Sequence, residues 1–342
     1  MKSSRQTFRP HWQAQLTDYI TAIVATERLI AATSAAGEIA AWDWKTGDCL
    51  WRDRLDCPLS GAAFSTDGAW LAAVGQQGCV RVWATADFAA PPQVVPVPAS
   101  VWVDRLAWDP GSQHLALNVN RSISIWDAAK QSAIAELDFA DSSVLGLAWH
   151  PHGTHLAACG HTGTKVWDAR AWTKDPYLLR VPGASLDAAW SPNGIFLAAG
   201  NFDRTLSILQ WDSPPPWLMQ GFPAKVRQVA WAANSQSLAA VCAEGIAIWH
   251  WERQTWKNQR VLQGHTSSVR AVSFQESQLA SAGDDGRVCL WQGVKKLMQT
   301  LKGPAPGCTS LVWHPEGTAI AVGGCDGEVC LWQRSPIARG FG

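Results

Sequence analysis

An all-β ring of eight four-stranded blades is the fold this chain predicts, and three observations predict it. Tryptophan occurs 22 times against 2 tyrosines in 342 residues, a bias that asks for a period. Seven of the indoles, Trp42, Trp83, Trp126, Trp167, Trp249, Trp291 and Trp332, each end a short apolar segment, at steps of 41, 43, 41, 82, 42 and 41 residues. Inside the double step, 203–209 (DRTLSIL) copies 285–291 (DGRVCLW), so Leu209 takes the tryptophan position and the units number eight. A second marker closes an earlier alternating segment of each unit and gives the same count: Ala25, Phe64, Trp108, Trp149, Trp190, Trp231, Phe274 and Trp313.

The elements of a unit follow in order. An alternating strand leads to the second marker, and a turn signal comes next, as in STDG, DPGS, HPHG, SPNG or HPEG. A small apolar strand such as LAAV, LAAC, LAAG or LASA follows, then another turn and the strand ending in tryptophan. The unit cores are 20–42, 59–83, 101–126, 143–167, 184–209, 224–249, 267–291 and 308–332. A fourth, outermost strand is weaker, as at 49–55 and 259–262, because one of its faces meets water. An open row of such sheets would leave unpaired edges at both ends, so the row must close. Only ten residues follow Trp332, whereas 11–16 (HWQAQL) resembles the outer segment 256–260 (WKNQR). The N-terminal segment 8–18 is therefore expected to complete the eighth blade, with the whole of 1–342 forming one ring.

Composition narrows the function. Lys plus Arg and Asp plus Glu both total 28, so no overall positive field draws the chain to nucleic acid or an anionic membrane. The N-terminus carries Lys2, Arg5 and Arg9 but no apolar core of an export signal. The uncharged stretch 88–103 is broken by four prolines and is too short to span a bilayer. Its proline content fits a stiff outer strand and loop better than a ligand for another module. Nine cysteines without close CxxC pairs read as reduced, buried thiols, and a soluble cytoplasmic protein is expected. No GxxxxGK, GxSxG or HExxH motif occurs, and neither a cofactor nor an enzymatic role is expected.

A repeat of this length, with short strands and a terminal tryptophan, resembles the WD40 family, most plainly in GHTSSVRAVSFQESQLASAGDDGRVCLWQ, and the resemblance covers 8–333. It implies a buried hydrogen-bond network of His, Ser or Thr, Asp and Trp in each blade. Here His265, Ser281, Asp285 and Trp291 match all four positions, in blade 7 only; blades 5 and 8 keep Asp203 and Asp326 without the histidine, and blades 1 and 2 offer Ala36 and Gln77. The His-Ser-Asp trio also has the composition of a hydrolase triad, but a blade interior makes the structural reading the expected one. His150, His152 and His155 crowd one turn of blade 4 and are weak candidate metal ligands; solvated turn histidines are the simpler reading.

Two surfaces stand out for binding. Four residues before each inner marker stand Thr21, Ser60, Asp104, Leu145, Leu186, Arg227, Arg270 and Thr309, a row that should approach the mouth of the ring. Arg227 and Arg270 would form a positive pair there, with Asp104 opposite and Tyr19 and Trp102 at the rim, residue types that anchor protein interfaces. Trp211, Trp217, Trp251 and Trp256, near 214–216 (PPP), would make a weaker side patch if they face outward. The expected function is a scaffold for protein or peptide partners, monomeric alone, as WD40 rings mostly are. The alternative is an enzyme or metal-handling propeller using the mouth or the blade 4 histidines.

Overall fold

The computed structural model describes residues 7–139, 142–181, 183–213 and 215–335. Lys2, Arg5 and Pro214 lie outside the described residues. Eight four-stranded antiparallel sheets follow one another along the chain. Their innermost strands are Ile20–Ala25, Leu59–Phe64, Leu106–Trp108, Gly146–Trp149, Ser185–Trp190, Val226–Trp231, Val269–Gln275 and Cys308–Trp313. Each contacts the next, and the last meets the first, so the ring is closed. We call "top" the face carrying the second-to-third-strand turns and the connections between blades, and "bottom" the face carrying the other turns.

Closure is made by the N-terminus. Thr7–Gln15 pairs antiparallel with Glu328–Ser335 and is the outermost strand of blade 8. Its register skips His11 opposite Trp332. Blades 1, 3, 6 and 7 carry the same bulge opposite Trp42, Trp126, Trp249 and Trp291, so the N-terminal segment folds as a regular outer strand. Neighbouring blades hold it from both sides. Gln299 of blade 7 exchanges hydrogen bonds with the Phe8 backbone, N–H at 2.9 Å and carbonyl at 2.8 Å, while Trp12 Nε1 donates to Trp44 O at 3.0 Å in blade 1. Past its end, Glu38 accepts from Thr17 N and Oγ1 at 2.6 and 2.9 Å.

The core lies between the blades. Second-strand segments such as Leu71–Val74 and Ile320–Val322 are fully buried by their neighbours, and Leu209 does fill a tryptophan position, paired with Leu197 as Trp291 is with Leu279. At about 1.5–3 kcal/mol for each large apolar side chain buried, this packing is the main stabiliser.

Three expectations need correction. Cys57 and Cys79 are joined in a disulfide, so the thiols are not all reduced. Folding places the connection into blade 2 against that blade's second turn, a meeting that no CxxC spacing announces. The other cysteines are free, five of them buried, and burial pushes Cys289 up to about 11 and Cys308 to about 12. The tryptophan side patch is not an outward one. Trp256 is 6% exposed, and it, Trp217 and Trp251 pack around Phe196, with ring centroids 5.0–6.5 Å from it, at the interface of blades 5 and 6. Trp211 belongs elsewhere, against His155 and Trp190 between blades 4 and 5.

Of the blade 4 histidines, His152 is exposed, His155 half-buried and His150 buried, and they are not disposed to ligate. His150 is 7% exposed. Its Nδ1 accepts from His152 N at 3.2 Å, which leaves Nε2 to donate to Gly194 O in the next blade at 3.2 Å. With both ring nitrogens engaged, no lone pair points at a shared ion. His314 repeats the device, accepting from Glu316 N and donating to Glu27 O. Among the described residues no group of three or more His, Cys, Asp or Glu is arranged to hold a metal, and no helix is long and apolar enough to cross a membrane.

Candidate binding surface at the mouth of the ring

The mouth row coincides with a repeated irregularity of the backbone. In six blades the pairing of first and second strands skips one residue, and the skipped residues are Thr21, Ser60, Leu186, Arg227, Arg270 and Thr309. A bulge re-aims the side chain of its extra residue, so these six turn away from the blade interior at the top end of the innermost strand. Asp104 and Leu145 precede the shorter first strands of blades 3 and 4.

Trp102 is 58% exposed, and its Nε1 donates to Ser60 Oγ at 2.6 Å, which fixes the indole over the bulge of the preceding blade. Tyr19 is 43% exposed, near Arg270, Asp284 and Cys325; partial burial first, then the charges of Cys325 and Asp284, raise its hydroxyl pKa against the pull of Arg270. Asp104 is bound inward: Asn118 Nδ2 donates to its Oδ1 at 2.9 Å, and Arg105 Nη1 lies 3.1 Å from its Oδ2.

The expected positive pair is broken on one side. Arg270 Nε donates to Asp284 Oδ1 at 2.6 Å, because the second turn of blade 7 carries that carboxylate beside the bulge. Arg227 is exposed and has no ion-pair partner among the described residues. One aromatic escaped the sequence reading. Phe202, on the second turn of blade 5, is 56% exposed with Lys225 Nζ 4.9 Å from its ring centre. Its signal was available, since it follows a small apolar strand, but the repeat drew attention to strands and not to their turns.

Below the rim, side chains link one innermost strand to the next. Asp187 accepts from Val229 N at 2.9 Å, Gln228 Oε1 from Val272 N at 3.0 Å, and Arg105 Nε donates to Leu145 O at 2.6 Å. Burial pushes Asp187 up to about 6, against those backbone hydrogen bonds and the charge of Arg105.

The His-Ser-Asp trio of blade 7 is closed to solvent. His265 Nδ1 lies 3.0 Å from Asp285 Oδ1, His265 Nε2 2.8 Å from Ser281 Oγ, and Trp291 Nε1 donates to Ser281 Oγ at 3.1 Å. Burial alone would raise Asp285, but hydrogen bonds from His265 and Thr266 N hold its carboxyl below the usual value. Ser281 has no exposed surface, so no substrate reaches it. At the matching place the other blades carry Ala32, Ala73, Leu117, Ala158, Ala199, Ala240 and Val322.

Comparison with known proteins agrees with this architecture. The WD domain, G-beta repeat family (WD40) matches residues 54–84, 132–168, 183–212, 256–292 and 295–333, just over half of the chain. The crystal structure of the computationally designed Ika8 protein is similar in fold, with a TM-score of 0.81 over 93% of this chain and 97% of that one at 19% identity. No match is found among curated proteins.

Proposed function

Because the chain belongs to the WD40 family, we propose that it is a non-catalytic scaffold docking protein or peptide partners at the top mouth. The observation that carries this reading is Trp102, a large indole kept exposed by a hydrogen bond to Ser60 instead of being packed away. Tyr19 and Arg227 add the amphipathic and cationic groups that hot spots use. The ring supplies rigidity, so little conformational entropy is lost when a partner binds. Arg227, without an ion-pair partner among the described residues, supplies a cation, and Arg270 acts with Asp284 as a neutral, directional pair.

Affinity capture from native lysate with quantitative mass spectrometry tests this, comparing the parent with Arg227→Glu and with Trp102→Ala. Selective loss of a stoichiometric partner from both variants at unchanged melting temperature is the expected result. An identical set of captured proteins from parent and variants overturns the placement at the mouth.

A further inference from the structure

The bottom face carries a second surface, independent of the mouth, in an open cleft of about 1370 Å³ between blades 1 and 2. Its walls are the first-to-second-strand turns of both blades, 26–28 and 65–69, the start of the outer strand of blade 1 at Leu50 and Trp51, and the loop 85–89 of blade 2. Trp51 and Phe88 stack with ring centres 4.6 Å apart, and Trp51 meets the blade tryptophan Trp83 edge-on at 5.2 Å. Both rings and Phe64 are half-buried and rest on the apolar core between the two blades. Leu50 beside Trp51 is 53% exposed. The lining is thus aromatic, firmly backed and open to a ligand.

The charges around the cleft are unbalanced. Glu27, Asp67 and Asp87 stand there against Arg28, and none of the three carboxylates has an ion-pair partner among the described residues. Two of them are fixed by their own turns: Asp67 Oδ1 accepts from Ser65 Oγ at 2.6 Å and Ala69 N at 3.0 Å, and Asp87 Oδ1 from Ala89 N at 3.0 Å. Burial pulls Asp67 upward, but the bonds from Ser65 and Ala69 outweigh it and hold its carboxyl below the usual value, so it stays ionised. Such a rim repels phosphate and carboxylate ligands. Aromatic rings beside carboxylates match a guanidinium, which is planar, weakly hydrated and always charged, stacks on rings and donates to carboxylates in pairs. Its aliphatic stem covers apolar surface of the kind Leu50 exposes. The cleft is larger than one side chain fills, so the occupant is a segment of chain.

We propose that this cleft docks an arginine-rich segment of a partner protein. Its guanidinium groups pair with Asp67 and Asp87 on the blade 2 side and with Glu27 on the blade 1 side, over the aromatic lining of Phe64, Trp51 and Phe88. A lysine segment satisfies the charge but lacks the planar cation that rings and paired oxygens favour, so arginine is the selected residue. The mouth on the opposite face exposes the cation Arg227, so the two surfaces suit partner segments of different charge.

The test is calorimetric titration of the whole protein with the capped pentapeptide Arg-Ala-Arg-Ala-Arg. The same peptide with citrulline, a neutral mimic of arginine, should bind about tenfold or more weakly, the worth of a charge-assisted hydrogen bond. The lysine version should also bind more weakly, and Phe88→Ala should narrow the gap between the two cations. Asp67→Asn/Asp87→Asn should weaken the arginine peptide about tenfold at unchanged melting temperature, since Asn keeps the acceptor that each turn uses. Asp175→Asn/Glu244→Gln removes two exposed carboxylates from blades 4 and 6 and should leave binding as in the parent. Absence of saturable binding by the parent, equal binding of the citrulline peptide, or an equal loss in the two double variants overturns the proposal. Equal binding of the lysine peptide overturns the choice of arginine, and self-association of the parent that disappears in Asp67→Asn/Asp87→Asn would make a second copy of the chain the occupant instead. Arg227→Glu and Trp102→Ala should not change this titration, so the two surfaces are tested separately.

Discussion

At the scale of single residues, the buried polar groups set the pH response, and two of them act in opposite directions. His150 has its pKa lowered by burial and by His155 and His152, so below about pH 6.5 the unfolded chain binds more protons and stability falls as pH falls. The stability advantage of the parent over His150→Asn should therefore narrow between about pH 7.5 and 5.5, read as melting temperature. Asp187, raised to about 6, keeps its proton longer in the folded state, so it contributes stability at low pH that is lost as pH rises through about 6. Asp187→Asn keeps an acceptor for Val229 N and should raise the melting temperature at neutral pH, with no gain near pH 4. Trp291→Ala removes a 3% exposed indole and the donor to Ser281, and should cost about 3–5 kcal/mol in denaturant unfolding. An unchanged unfolding curve would contradict the burial.

At the scale of elements, the N-terminal strand decides whether the ring is closed. Deleting residues 1–17 removes the edge pairing of Glu328–Ser335 and the links to Gln299, Trp44 and Glu38 together. The expected outcome is loss of cooperative unfolding or a large fall in melting temperature. A truncated protein as stable as the parent would require a different closure. The strand was legible in the sequence because an edge must be covered and HWQAQL was the segment left to cover it. The bulge at His11 was not, since a bulge is a property of two paired strands.

At the scale of the whole molecule, the eight blades are alike in backbone and unlike in the side chains between them. Only blade 7 has the complete polar network, and elsewhere an apolar residue replaces Ser281, which makes interdigitated Trp, Ala and Leu the common support. The top mouth diverges accordingly, with exposed aromatics at Tyr19, Trp102 and Phe202. The mouth prediction, loss of a partner in Arg227→Glu, belongs to this scale because it depends on six bulges facing one opening.

The number of blades, their buried strands and their closure were determined by the sequence alone. These follow from period-two patterning, turn residues and the spacing of tryptophan, all of which act within one blade or between a strand and its nearest neighbour. The tertiary structure alone decided the Cys57–Cys79 disulfide, the pairing of Arg270 with Asp284, the burial of His150 beneath Gly194 and the inward packing of Trp256. Each is a contact across a turn or between blades, where a residue's environment depends on which partner the ring brings alongside.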